Sequence, residues 1–114
     1  MGTVIGAGGA ALLLGELVAS GVVDGADIAR AVCTTPRSVA RWRAGASTPR
    51  RDLEERLLEL AAVIDALRAT VGDAGRARMW LRRPHPRLDL DKPLERIAAG
   101  GYRDVVALAG TAAP

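Results

Sequence analysis

A glycine-rich stretch near the start of the chain has the spacing of a phosphate-binding turn. Gly6, Gly8 and Ala11 follow the pattern G-x-G-x-x-A, in which glycines let the backbone approach a pyrophosphate at the N-terminus of a helix. Asp24 lies 18 residues beyond Gly6, close to where such a fold places its ribose-binding acid. The pattern raises the hypothesis of a small nicotinamide-dependent oxidoreductase, which saturable micromolar binding of NAD would support.

The sequence around these glycines does not supply the rest of that fold. A dinucleotide-binding unit needs a buried strand before the glycines and further parallel strands beside it. Only residues 3–5 could form a strand before Gly6, which is too short for a central strand, and the sequence beyond Asp24 predicts one helix after another. We therefore interpret residues 1–9 as a flexible N-terminus and expect no cofactor.

Composition favours an all-α, non-enzymatic protein. Of the 114 residues 49% are hydrophobic, but only three are aromatic and none is Phe, so the core must consist mainly of Leu, Val, Ile and Ala. Alanine and leucine are strong helix formers. Cys33 and His85 are the single Cys and the single His, which leaves neither a Cys/His catalytic pair nor a metal-binding cluster.

The cysteine content, the N-terminal segment and the lengths of the apolar runs indicate the cellular compartment. A lone cysteine suits a reducing cytoplasm. The apolar run near the N-terminus has no preceding Lys or Arg, unlike a secretory signal. No stretch reaches the length of about 18 uncharged apolar residues that a membrane helix needs. We expect a cytoplasmic protein that does not contact membranes.

Capping residues and periodicity outline the helices. Residues 10–20 have the composition of a short buried helix ended by Gly21, and Asp24 or Asp27 is placed to cap the next helix. A later helix starts at Asp73 and is stopped by Pro84, and two short helices follow, the first opened by Pro93. The longest apolar stripe has spacings of four, three, four, three and four, which predicts a connecting or dimerisation helix of about 20 residues within residues 50–72. Its members are Leu53, Leu57, Leu60, Ile64, Leu67 and Val71.

Residues 10–49 fit a helix-turn-helix region. Thr35 followed by Pro36 predicts the start of the second helix, and Gly45 predicts its end. Cys33 falls in the turn, where glycine is more usual, and Ala29 is small where the two helices must approach closely. The residues expected to form the shared core are Ile28, Val32, Val39 and Trp42.

The second helix of this motif presents residues suited to DNA. Arginine is suited to guanine edges, and Ser or Thr to phosphate. Between Asp27 and Asp52 the chain has six arginines and no acid, a charge balance that fits a polyanion. The alternative is a solvated basic face that binds nothing. The candidate DNA contacts are Thr35, Arg37, Ser38, Arg41 and Arg43.

In the last part of the chain, residues 73–114, prolines, apolar residues and arginines lie in and next to the predicted loops. Five arginines lie between Asp73 and Asp89. A proline-rigid, arginine-flanked surface with an aromatic anchor is typical of a protein-binding patch, because little ordering entropy is lost on docking. Structural packing of the same residues is the alternative interpretation.

Two motifs in this order resemble a known family. The stretch WLRRPHPRLDLDKPLERIAAGGYRDVVAL, residues 80–108, resembles the C-terminal toxin-binding region of Xre/MbcA/ParS-type antitoxins. TPRSVARW, residues 35–42, resembles the recognition helix that precedes that region in the same family. The resemblance covers residues 10–108, nearly the whole chain. It implies a type II antitoxin that binds a RES-domain NAD-degrading toxin, blocks access to the toxin's NAD site and represses its own operon by binding operator DNA.

The resemblance also implies roles for individual residues. Five residues match the toxin-binding pattern and are expected mainly to shape that region: Trp80, Pro84, Leu88, Pro93 and Leu94. The expected direct contacts with the toxin are Arg82, Arg83, Arg87, Tyr102 and Arg103. After Leu108 the chain continues as AGTAAP, shorter and less apolar than the family's usual end, so either this tail or an upstream loop would block the toxin.

The resemblance further implies an antitoxin homodimer within a larger hetero-oligomer with the toxin. The main alternative is a plain helix-turn-helix transcriptional regulator, whose C-terminal region serves dimerisation or binds a small ligand. Stoichiometric binding of a second protein distinguishes the two, because a plain regulator would not show it.

Overall fold

The computed structural model describes residues 9–112, and these residues form helices and no strand. The expected all-α class is confirmed. Helices α1 to α3 fall in the predicted helix-turn-helix region, α4 is the long helix, and α5 to α7 follow it. The elements are α1 Gly9–Ala19, α2 Gly25–Ala31, α3 Pro36–Arg43, α4 Arg51–Thr70, α5 Ala74–Arg82, a short 3₁₀ helix Pro86–Leu88, α6 Pro93–Ala98 and α7 Tyr102–Ala109.

The candidate dinucleotide residues are only partly within the described range. Gly6 and Gly8 lie outside the described residues, whereas Ala11 lies within α1. Asp24 caps α2: its Oδ1 accepts a hydrogen bond from the Asp27 N–H at 2.8 Å, and Asp27 Oδ2 accepts one from the Asp24 N–H at 3.0 Å. This reciprocal pair is a capping box, so the acid that matched a ribose ligand in the sequence starts a helix instead.

Helices α2 and α3 pack against each other across a tight turn. Thr35 Oγ1 accepts a hydrogen bond from the Ser38 N–H at 3.1 Å, and Pro36 occupies the first position of α3, as predicted. All four residues expected in the shared core are buried: Ile28, Val32, Val39 and Trp42. Cys33 adopts φ 59° in the turn, the left-handed region that favours glycine, and its Sγ donates to the Ala98 carbonyl at 3.3 Å.

Helix α4 is the central element of the fold. It packs against α1, α2, α5 and α7, and its 20 residues match the predicted length. Leu57, Leu60 and Leu67 are fully buried along the predicted stripe. Val63 is also fully buried although it lies off that stripe, because helices contact α4 on more than one side. The long helix is therefore a core helix over most of its length.

Two side chains of α4 bind the carbonyl ends of the C-terminal helices. Arg56 Nη1 donates to the carbonyl oxygens of Ile97 at 2.6 Å and Ala98 at 3.3 Å, where α6 ends. Thr70 Oγ1 donates to the Ala109 carbonyl at 2.7 Å, where α7 ends. The last carbonyls of a helix have no partner within the helix, so these bonds satisfy groups that would otherwise be left unpaired.

A cluster of two acids and two arginines joins α2 to α5. Asp27 is only 2% exposed, and both of its carboxylate oxygens lie 2.7 Å from Arg82 Nη2. Arg78 Nη2 lies 3.0 Å from Asp24 Oδ2. The backbone N–H of Asp27, followed by the Arg78 side chain, lowers the pKa of Asp24 from its ordinary value of 3.8 to about 2.

Residues 9–112 offer neither a membrane-spanning helix nor a metal-binding cluster. None of the helices in this range is both long and apolar enough to span a membrane. Nor do three or more His, Cys, Asp or Glu residues of the range meet in a way that could hold a metal ion.

We expect Asp24→Asn to remove the charge interaction with Arg78 while keeping a good helix cap. Because Asp24 is about half exposed, the loss in the free energy of unfolding at neutral pH should be modest, about 0.5–1 kcal/mol. The pKa of Asp24 is lowered in the folded state, so the charged carboxylate contributes its full stabilisation above about pH 4. That contribution disappears as the pH falls toward 2.

Urea unfolding of both proteins between pH 7 and pH 2 tests this expectation. Asp24→Ala serves as the comparison, since it removes the cap as well and should cost about 1 kcal/mol more at every pH. A difference between the wild type and Asp24→Asn that does not change with pH would contradict the assigned ion pair.

Candidate functional site

The outer face of α3 carries the arginines predicted to contact DNA. Arg37, Arg41 and Arg43 are exposed, while Val39 and Trp42 are buried on the opposite face. None of the three arginines forms an ion pair with a carboxylate of residues 9–112. Their guanidinium groups are therefore open to a polyanion.

The two hydroxyl candidates on α3 lie at its N-terminal turn. Thr35 Oγ1 is committed to the cap and also lies 3.1 Å from Ser38 Oγ, to which it donates. Ser38 keeps its own hydroxyl proton, which can be donated to a phosphate oxygen. The exposed N-terminus of α3 adds a partial positive charge at the same place.

Helix α5 has three faces with different surroundings. Ala77 and Leu81 face the core. Arg78 and Arg82, four residues apart, face the acids of α2. The remaining side, with the loop that follows it, carries the residues that face outward: Arg76, Met79, Trp80 and Arg83.

Arg82 thus differs from the other arginines predicted to contact the toxin. Its guanidinium is bound within the chain to Asp27, the buried acid of the cluster. This pairing joins residues 55 positions apart, which no local sequence signal could indicate. Arg83 and Arg87, by contrast, are exposed and form no ion pair within the described part of the chain.

Two grooves flank a ridge formed by Trp80 and His85. Their ring centroids are 5.9 Å apart, and the rings meet edge to face at 61°. The first groove has a volume of about 570 Å³ and is lined by Val71, Arg76, Met79, Trp80, Arg83, Pro84 and His85. The second has a volume of about 520 Å³ and is lined by Trp80, His85, Arg87, Leu108, Thr111 and Ala112.

Three further residues of the C-terminal pattern are buried. Leu88, Pro93 and Leu94 shape the region from the inside, and a direct contact with a toxin stays a prediction for them. Arg96, which the sequence analysis did not single out, donates from Nη2 to the Leu88 carbonyl at 2.6 Å and holds the loop.

Tyr102 and Arg103 are not brought to the grooves. They begin α7, whereas Leu108, which lines the second groove, lies near its end. Six residues of helix separate Tyr102 from Leu108, a rise of about 9 Å. Tyr102 is half-buried and Arg103 is exposed. Their expected contact with a toxin stays a prediction.

Comparison with known proteins identifies the family. Residues 66–108 match the model described as the antitoxin Xre/MbcA/ParS C-terminal toxin-binding domain. The chain belongs to the Xre/MbcA/ParS antitoxins, as the two sequence motifs predicted.

Among its relatives are the mycobacterial cidal antitoxins MbcA of Mycobacterium bovis and Mycobacterium tuberculosis. Each is 44% identical to this chain over 77 residues, which cover 68% of this chain and 67% of the relative. A chain in the crystal structure of the M. tuberculosis MbcT–MbcA toxin–antitoxin complex matches with a TM-score of 0.74 and 35% identity. That match covers 87% of this chain and 88% of the other.

We expect Arg82→Ala to lower the free energy of unfolding by about 1–3 kcal/mol, because it leaves the buried Asp27 carboxylate with only part of its hydrogen bonding. Arg83→Ala is the matched control, since Arg83 is exposed and should change stability by about 0.5 kcal/mol or less. Thermal and urea unfolding of the two variants measure the difference. Equal stability would show that Asp27 does not depend on Arg82.

Proposed function

We propose that this chain is a non-catalytic type II antitoxin that binds a RES-domain NAD-degrading toxin through the surface around Trp80. The observation that carries the proposal is the open face of α5 with its adjoining loop, which presents unpaired arginines beside an aromatic ridge within the family-matched residues 66–108. The similarity to the MbcT–MbcA complex supports a toxin as the partner.

The physical character of this surface suits binding to a protein. Aromatic and arginine side chains supply most of the energy in many interfaces. Here Trp80 is positioned by its contact with His85, and Pro84 stiffens the connection to α5, so little conformational freedom is lost on docking. Arg83 and Arg87 border the two grooves on either side of the ridge.

On this proposal inhibition is steric. The antitoxin surface closes the entrance to the toxin's NAD site, so the NAD chemistry belongs entirely to the partner. The chain itself needs no catalytic group or cofactor for this function.

The proposal includes repression of the chain's own operon through α3. A homodimer would place two copies of α3 in successive major grooves about 34 Å apart, and Arg37, Ser38 and Arg41 would face the DNA. The absence of ion pairs around these arginines within the described residues supports this role, because a polyanion would not have to displace an internal carboxylate.

A plain transcriptional regulator is the second candidate function. The basic face of α3 favours it independently of any toxin, since the candidate DNA contacts all lie on or next to α3. In that case the C-terminal helices would serve dimerisation or bind a small ligand.

Co-expression of the tagged chain with each neighbouring reading frame separates the two functions. We expect one RES-type protein to co-purify in stoichiometric amount, with its NAD-consuming activity silenced in the complex. The same protein expressed without the chain is the control, and it should consume NAD and arrest growth. If the chain purifies alone and no neighbour is toxic without it, the antitoxin proposal is wrong and the regulator remains.

For the DNA-binding role, Arg41→Ala should weaken operator binding by about 1–3 kcal/mol if Arg41 reads a base. Arg83→Ala removes an equally exposed arginine from the proposed toxin surface and should leave operator affinity unchanged. Fluorescence anisotropy over a range of salt concentrations measures both. Unchanged affinity of Arg41→Ala at every salt concentration would contradict the assignment.

A further inference from the structure

The outward side of α5 carries positive charge that the described part of the chain does not neutralise. Arg76 lies in the first turn of α5 and Arg83 directly follows its last residue, and both line the first groove. Neither forms an ion pair with a carboxylate of residues 9–112, and no Asp or Glu lines the groove. The closest acid along the chain, Asp73, is exposed and caps α5 through the Arg76 N–H at 2.8 Å.

An apolar strip separates the two arginines. Met79 is 47% exposed, more than any other large apolar side chain of α5 to α7, and Trp80 and Val71 line the groove with it. A methionine side chain is flexible and fits irregular apolar partners. The groove volume of about 570 Å³ falls in the range of ligand-binding pockets.

Positive charge and an apolar strip in one groove call for a partner that carries both carboxylates and an apolar side chain. We infer that the first groove receives an acidic segment of the toxin, in which carboxylates pair with Arg76 and Arg83 and an apolar side chain packs on Met79 and Trp80. The inference rests on the proposed function and specifies which surface of the toxin docks. The groove also lies within residues 66–108, the part of the chain that matches the toxin-binding family model.

A carboxylate-bearing protein segment fits this groove better than a nucleic acid backbone. Guanidinium groups bind carboxylates through two parallel hydrogen bonds, and matched charges across an interface also steer the partners together. A phosphate backbone would satisfy the arginines equally well, but it has no apolar group to cover the exposed Met79 between them. The groove therefore combines charge with apolar contact, as a protein interface does.

The pairing pattern on α5 also predicts which arginines take part. Arg78 and Arg82 are bound to the acids of α2, so their charge is already balanced within the chain. Arg76 and Arg83 remain to attract the toxin. Recognition thus depends on the outer side of α5 rather than on the total number of arginines.

Isothermal titration calorimetry of this chain with its purified toxin, at low and at high salt, tests the inference. We expect Arg76→Glu and Arg83→Glu each to weaken binding by about 10-fold or more, and the wild-type affinity to fall with salt more steeply than that of either variant. Arg51→Glu is the matched control: it makes the same charge change on an exposed residue at the far end of α4, and it should alter affinity by less than about 3-fold.

Two variants of Met79 test the apolar part of the contact without disturbing the core. Met79→Asp should weaken binding by about 10-fold or more, because it places a negative charge against an acidic segment, whereas Met79→Leu should bind as the wild type does. Circular dichroism confirms that both variants remain folded.

The outcomes distinguish this inference from the proposed function. If the wild type binds no toxin, the proposed function fails and the inference fails with it. If the wild type binds but Arg76→Glu, Arg83→Glu and Met79→Asp bind as tightly as Arg51→Glu, the inference alone is overturned. It is overturned as well if the arginine reversals leave toxin binding intact but reduce binding to a DNA duplex.

Discussion

The buried carboxylate of Asp27 determines how α2, in the helix-turn-helix region, packs against α5, in the C-terminal region. A charge that is 2% exposed must be neutralised where it lies, or its burial would strongly destabilise the fold. Arg82 supplies the main partner from α5, and Arg78 lies 3.5 Å away. This requirement fixes the N-terminus of α2 against α5. It also fixes the rotation of α5, and so decides which of its side chains remain on the surface.

The central helix α4 fixes the positions of the last two helices, α6 and α7. Arg56 and Thr70 lie on α4 and bind the carbonyl ends of α6 and α7. Because these are polar bonds to backbone groups, they specify position more narrowly than apolar contact alone. The groove-lining Leu108 therefore lies on a helix, α7, whose carbonyl end is held by α4.

The features predicted well from the sequence are local or periodic. The caps at Thr35 and Asp24 depend on residues within three positions, and the buried stripe of α4 repeats over 20 residues. The G-x-G-x-x-A spacing is a weak signal, because a short motif says nothing about the strands that a dinucleotide-binding fold needs, and residues 9–112 form no strand. The internal binding of Arg82 and the support of the loop by Arg96 could not be predicted, since both depend on how separate helices pack. The sequence also grouped Tyr102 with Trp80; Tyr102 does not line either of the two grooves beside Trp80, and its contact with a toxin stays a prediction.

The acid–arginine cluster has a consequence for how such proteins can diversify. Its acids belong to the segment that contains α3, and its arginines belong to the segment that contains the grooves. A chimera that joins the first 49 residues to the second half of another family member would inherit a buried Asp27 without an assured counter-charge. The two segments can be exchanged by recombination only where both sides of the cluster agree. If the proposed function is right, operator and toxin specificity would be inherited together except where this cluster is preserved.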